Sequence, residues 1–220
     1  MKCFIINYNR LGLLKNMADF LSSKGIDVYI IDNKSTYPPL LEYYRETKYN
    51  VIRMDKNYGY KVFWDKNIYG YLGMNERYLL SDPDLDISNI PDDFINIMEV
   101  GLDKYPELQK CGLSLEINDL PKNEISKNII EWENRFWKDR LDSLYFKAAI
   151  DTTFAMYNTN KHELIGIRTD RPYVARHIPW YYDEFTRLPD DEVYYLKTIE
   201  TPTSWSKEII SKIRENGIYK

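Results

Sequence analysis

The chain has 220 residues, 29% of them charged and 44% hydrophobic, with a net charge of −4, the make-up of one globular domain that can bury a sizeable core. The acidic balance argues against a nucleic-acid binder, whose footprint is basic, and no apolar run reaches the length of a transmembrane helix. Cys3 and Cys111 sit in separate apolar runs and read as buried reduced thiols, which points to a cytoplasmic protein, peripheral to a membrane at most. The 3–6 run is too short for a signal-peptide core.

In chain order, residues 3–6 form an apolar strand and 7–12 a polar turn. Leu13, Leu14, Met17, Phe20 and Leu21 then repeat at helical spacing, and Gly25 closes that helix. Residues 28–31 make a second strand ending in Asp32-Asn33-Lys34-Ser35-Thr36, and Pro38-Pro39 start a second helix. A third strand at 51–54 runs into Asp55-Lys56-Asn57-Tyr58-Gly59. Strands alternating with helices predict a mostly parallel sheet with right-handed crossovers, and such sheets bind ligands at the carboxyl ends of their strands. Asn9, Asp32, Asn57 and Asp82 all fall there.

The fourth strand carries the most specific signal. Arg77-Tyr78-Leu79-Leu80-Ser81 stops abruptly in Asp82-Pro83-Asp84-Leu85-Asp86. Acids two residues apart at a sheet end suit one hard cation with oxygen ligands, and that cation suits a diphosphate. Asp86 reads better as a helix-capping acid than as a third ligand. An EF-hand is excluded, because its glycine position holds Ile87 and its twelfth position Asp93.

Further on, Ile90-Pro91-Asp92-Asp93 opens a helix running through Leu102. Residues 111–117 read as a strand, 130–138 as an aromatic helix, and 148–157 as a strand with Asp151 set into it. Residues 166–168 and 173–182 read as a loop-rich aromatic segment; Pro189-Asp190-Asp191 starts a short helix, and 206–216 forms a terminal amphipathic helix. Tyrosine is frequent, at 20 copies against 8 phenylalanines, which suits a wet cleft or a sugar platform and equally a compositional bias. Arg168, Arg171 and Arg176 lie close enough in sequence to clamp a diphosphate, although surface solubility accounts for at least two of them equally well.

The Ile-Ile-Asn-Tyr-Asn first strand, the Asp-Asn-Lys-Ser-Thr second loop, the Asn57-Tyr58-Gly59 loop and the Asp82-Pro83-Asp84 motif come in the order that resembles GT-A-type glycosyltransferases, particularly the family 2-like ones. The resemblance covers the first half of the chain well and the rest loosely. It implies an α/β fold: a single GT-A-like, Rossmann-related domain over 1–220, its mostly parallel central sheet flanked by helices. Residues 1–110 would be the nucleotide-sugar-binding half and 111–220 the acceptor-binding half. It further implies that Tyr8, Asn9, Arg10, Asp32, Asn57, Asp82 and Arg176 face the nucleotide sugar. Asp82, Asp84 and the late His177 would hold Mn²⁺ or Mg²⁺, with imidazole favouring Mn²⁺. The activity implied is transfer of a sugar from a UDP- or GDP-linked donor to a hydroxyl of a glycan or glycolipid, as in polysaccharide biosynthesis.

An inverting transferase needs a general base. Asp151 is the first candidate, because an acid in an apolar strand is costly unless it serves a site; Glu133 is the second and Asp183 the third. Trp180 and Tyr181, with Trp132, Trp137 and Tyr182, are candidate acceptor platforms, while core packing would equally account for Trp132 and Trp137. Two further readings share the motifs: a sugar-phosphate nucleotidyltransferase, for which Asn9-Arg10-Leu11-Gly12 is a poor version of the expected loop, and a catalytically inert sugar-binding module.

Overall fold

The computed structural model describes residues 1–182 and 187–199. The first half alternates strand and helix: β1 (Lys2–Asn7), α1 (Gly12–Ser23), β2 (Asp27–Asp32), α2 (Pro38–Glu46), β3 (Asn50–Arg53), two single-turn helices α3 (Val62–Asp65) and α4 (Ile68–Tyr71), and β4 (Tyr78–Ser81). There follow β5 (Leu85–Asp86), α5 (Phe94–Lys104), β6 (Lys110–Gly112), β7 (Ser114–Leu115), α6 (Glu124–Glu133), β8 (Tyr145–Ala149), β9 (Ala155–Tyr157), β10 (Ile165–Thr169), β11 (Val174–His177) and α7 (Asp190–Thr198).

Eight strands form one sheet in the order β3-β2-β1-β4-β9-β6-β10-β8. Among them β9 and β8 run against the rest, so the sheet is mostly parallel, as the alternation predicts. β1 is buried on both faces, which is why it reads as an unbroken apolar run. Its side chains alternate: Cys3 and Ile5 pack with α1 and α5, whereas Phe4 and Ile6 pack with Val62, Phe63 and Ile68 of α3 and α4. On α1 the buried positions Leu14, Met17, Ala18 and Leu21 follow the helical repeat. Gly25, at φ +74°, ends that helix with Ile26 N–H donating to Leu21 O and Gly25 N–H to Ser22 O, both at 3.1 Å, a Schellman motif that needs the left-handed residue.

Four expectations are corrected. Residues 111–117 are not one strand: the chain breaks at Leu113, whose N–H donates to Phe154 O at 3.0 Å, so β6 joins the large sheet while β7 joins a second, three-stranded one of order β5-β11-β7. Residues 166–168 and 173–182, read as a loop-rich aromatic segment, contribute to two strands, β10 and β11; their aromatic and basic side chains hid the period-2 pattern. The run 148–157 is not one strand either. β8 ends at Ala149, β9 begins at Ala155, and Asp151 stands exposed in the loop between them. The aromatic helix lies earlier than expected, at Glu124–Glu133, with a 3₁₀ turn over Asn134–Trp137. The terminal helix expected at 206–216 lies outside the described residues.

Two buried cations tie the β8–β9 loop to the sheet. Arg168 Nε donates to Ala149 O at 2.8 Å, and Lys110 Nζ donates to Ile150 O at 2.5 Å. Arg168 is compensated by the buried carboxylate of Glu133. Lys110 is only 1% exposed, and burial drives its pKa down from 10.5 to about 8, with Asp151 opposing the shift and Arg168 adding to it.

These contacts can be tested at Gly166 and Lys110. A Cβ on Gly166 would lie 2.7 Å from both the Cγ and the backbone oxygen of Lys110, so Gly166→Ala should destabilise by about 1–3 kcal/mol through overpacking, measured as a lowered urea midpoint. Between the folded value of about 8 and the free value of 10.5, the unfolded lysine binds more proton than the folded one, so stability rises with pH there. The stability of the wild type relative to Lys110→Met should therefore climb by up to about 1.4 kcal/mol per pH unit across that window. A pH-independent difference would show that the folded amine stays charged.

Candidate active site

Asp82 and Asp84 emerge from the carboxyl end of β4, with Pro83 fixing the backbone between them. Asp82 is held by the β8–β9 loop: its N–H donates to Thr152 O at 2.9 Å, and Thr152 Oγ1 donates to its Oδ2 at 2.6 Å. Asp84 is 5% exposed. Its Oδ2 accepts from Arg10 Nη1 at 2.8 Å and lies 3.5 Å from His177 Nε2. The small sheet makes that meeting possible: β5 pairs antiparallel with β11, placing His177 opposite Leu85, and Ile178 N–H donates to Asp84 O at 2.9 Å.

Charge is unevenly shared between the two acids. Burial and the neighbouring Asp84 push the Asp82 carboxyl well above the usual range, against the pull of Thr152 and Arg10. Burial pushes Asp84 up as well, but His177 and Arg10 outweigh it and hold that carboxyl below its ordinary value. Burial lowers the His177 imidazole, against the pull of Asp84, and Arg10 is the other group that faces the same carboxylate. Asp84 is the standing anion, and Asp82 resists a second negative charge beside it. Among the described residues no three His, Cys, Asp or Glu side chains converge as a ready-made metal cage. A carboxylate and an imidazole at 3.5 Å, with a second carboxyl two residues away, nevertheless fit a Mn²⁺ or Mg²⁺ that is completed by substrate phosphates rather than by protein alone. The push on Asp82 is what one more cation would relieve.

The first loop is built as tightly. Asn9 sits at φ +56°, fully buried; its N–H donates to Ser35 Oγ, its Oδ1 accepts from Thr36 and Tyr37 N–H, and its Nδ2 donates to Thr198 Oγ1. Arg10, 5% exposed, is gripped bidentately by Glu192 at 2.8 and 2.7 Å and lies 3.7 Å from the centre of the Tyr195 ring. Tyr8 OH donates to Thr198 O at 3.2 Å. Asp32 is fully buried under the second loop, its oxygens accepting from Ser35 N–H, Tyr44 OH and Arg53 Nε. Asn57 Oδ1 accepts from Gly59 N–H, while Asn33 holds Tyr58 and Gly59.

The arginines predicted to act together go to separate carboxylates: Arg168 to Glu133, Arg171 to Glu116, Arg176 to Asp119. Arg171 and Arg176 line a groove of about 300 Å³ with Asp86 and Glu116; Asp86 lies in β5 and accepts from Ser88 N–H at 2.9 Å, a turn contact and not the helix cap expected of it, since the next helix, α5, begins at Phe94 after Asp93. Glu133 is 2% exposed and committed to Arg168. Asp151 is exposed, one residue before Thr152, and its charge adds to the push on Asp82. Trp180 lies with its ring 4.7 Å from that of His177, and Tyr181 OH donates to Asp119 at 2.6 Å. Trp132 is exposed and carries Arg135 over its ring, whereas Trp137 is half-buried against Phe146. Asp183 lies outside the described residues.

Sequence reasoning missed Asp191, Glu192 and Tyr195 of α7 and Thr152 of the β8–β9 loop. Pro189-Asp190-Asp191 was legible only as a helix start; nothing local marks the acids as partners of residues some 180 positions earlier.

No protein-family model matches the chain. Over 179 residues, 71% of its length, it is 28% identical to an uncharacterized protein of Acanthamoeba polyphaga mimivirus, and it spans only 19% of that relative. Among solved structures it superposes over its whole length, at 10% identity and a TM-score of 0.53, on 80% of a mannosyltransferase from Pyrobaculum calidifontis determined with GDP-Man and Mn²⁺. Glucosyl-3-phosphoglycerate synthase from Mycobacterium tuberculosis aligns over the same shares of the two chains, at 10% identity and a TM-score of 0.48. The mostly parallel sheet and the full-length superposition on the mannosyltransferase give this chain the GT-A-type fold of nucleotide-sugar glycosyltransferases.

Proposed function

We propose that the protein is a metal-dependent glycosyltransferase that moves a sugar from a UDP- or GDP-linked donor to a hydroxyl of a glycan or glycolipid. The observation that carries this reading is the convergence of Asp84 with His177 beside Asp82 at the carboxyl end of β4. Asp84 and His177 would hold Mn²⁺ or Mg²⁺, with Asp82 as a further ligand or ribose contact. When bound, the ion supplies charge neutralisation for the departing diphosphate. The protein supplies the rest. Thr152 orients Asp82, and Arg10 compensates the buried Asp84 carboxylate while the ion is absent.

In an inverting transfer, Asp151 would accept the proton of the acceptor hydroxyl as that oxygen bonds to the anomeric carbon. The sugar–phosphate bond breaks, with its electron pair leaving on the diphosphate. Asp151 suits this role because it is exposed to an incoming acceptor and adjoins Thr152; Glu133 is already spent on Arg168. Trp180, beside His177, offers a face on which the acceptor sugar stacks, and Tyr181 borders it. We place the enzyme in the cytoplasm, peripheral to a membrane at most; among the described residues no helix is long and apolar enough to cross one.

Titration calorimetry with UDP and GDP tests the donor site. Binding should require Mn²⁺, disappear in Asp84→Ala and persist in Asp86→Ala; metal-independent binding, or none at all, would reject the assignment. For the base, Asp151→Asn should lower transfer by about 10²- to 10⁴-fold with donor affinity unchanged. Glu133→Gln should instead show its main effect in stability, on the order of 3–5 kcal/mol, by leaving Arg168 uncompensated.

A further inference from the structure

α7 lies across the first and second strand-end loops and takes up the groups that a nucleotide would need there. Asp191 Oδ2 accepts from Leu11 N–H at 2.7 Å and Gly12 N–H at 2.8 Å, which caps the start of α1, a helix with no side-chain cap of its own. Glu192 holds Arg10, and Tyr195 lies under the same guanidinium. Thr198 receives Asn9 Nδ2 on its hydroxyl and Tyr8 OH on its carbonyl. Tyr194 hydrogen-bonds Thr36 at 3.1 Å and packs on Tyr37 with ring centres 5.1 Å apart. Tyr8, Asn9 and Arg10 are therefore all engaged by one nine-residue helix.

The link to the acidic pair is Arg10. Its Nη1 sits on Asp84 Oδ2, the same oxygen that faces His177, while its Nε and Nη2 sit on Glu192. A divalent cation taken by Asp84 and His177 competes with Arg10 for that oxygen and repels the guanidinium. We propose that α7 is a strap over the donor site, and that a metal ion bound by Asp84 releases it by displacing Arg10. The inference rests on the donor reading for what lies beneath the strap, but the release itself needs only the metal. A ligand shifts a two-state element only through its differential affinity for the two states; here the difference is the Arg10–Asp84 pair, present under the strap and broken when the metal is bound.

The test uses the full chain. Amide hydrogen exchange is followed across 190–198 in the protein alone, with MnCl₂, and with MnCl₂ plus UDP or GDP. Mn²⁺ affinity is titrated for the wild type and for Asp191→Ala combined with Thr198→Val. That double variant loosens the strap without leaving Arg10 unpaired, which Glu192→Gln would risk. Exchange across 190–198 should accelerate on addition of Mn²⁺. The double variant should bind Mn²⁺ about tenfold more tightly, because affinity scales with the fraction of protein already open. Unchanged or slowed exchange at saturating Mn²⁺, equal or weaker Mn²⁺ binding by the double variant, or no Mn²⁺ binding by either protein would overturn the strap. Release by Mn²⁺ with no nucleotide binding would sustain the strap and sink the donor reading.

Discussion

A carboxylate buried as deeply as Asp84 has to be compensated, and the compensation is drawn from distant parts of the chain. Arg10 reaches it from the first loop, and His177 stands beside it from β11. Arg10 is itself buried and carries more charge than one shared carboxylate oxygen satisfies, so it recruits Glu192 from α7. Residues 10, 84, 177 and 192 thus form one network in which removing Arg10, Asp84 or Glu192 without a replacement leaves another's charge uncompensated. Such networks add little net stability over a well-packed apolar core, but they are costly to break on one side. Their effect here is registration: they bind the two ends of the described chain to the centre of the sheet.

A second set of buried charges acts on Asp82 at one remove. Arg168 and Lys110 donate to consecutive carbonyls, Ala149 and Ile150, at the point where the chain leaves β8. Two residues later Thr152 takes Asp82 by both backbone and hydroxyl. The loop that orients the first acid is therefore anchored from beneath by cations whose own burial is costly. For Lys110 that cost is a pKa pushed down by burial from 10.5 to about 8. The carbonyl it holds accounts for a lysine tolerated there at such a penalty.

The fold was legible where the chain obeys local rules. Buried parallel strands read as apolar runs, Gly25 marks the end of α1, and Pro38-Pro39 mark the start of α2. Asp82 and Asp84 stood out because carboxylates placed directly after a buried strand are costly unless a cation or a donor meets them. What stayed hidden depends on pairing across long separations. The break at Leu113 is dictated by Phe154, the split of 148–157 by Arg168 and Lys110, and the role of Glu192 by Arg10. Asp151 is not an acid trapped in an apolar strand, since it stands exposed in a loop; its claim as a base rests on standing next to Thr152. Asp32 and Asn9 were legible as strand-end polar residues, but not as groups already engaged by neighbouring elements: Asp32 by Ser35 and Tyr44, Asn9 by Thr36 and Thr198.

The two partners of Asp84 are held by different means, and that difference matters for exchange. His177 is placed by backbone: the β5–β11 pairing and the Ile178-to-Asp84 hydrogen bond set its position whatever ion is present. Arg10 is placed by side chains alone, through Glu192, Tyr195 and Asp84 itself. A cation arriving at Asp84 therefore meets one partner that is fixed by the sheet and one that can yield by rotating a long side chain, whose rotamer freedom is worth about 1.5–2 kcal/mol once released. The carboxylate–imidazole pair is the permanent part of the site, and the guanidinium is the part that can be replaced.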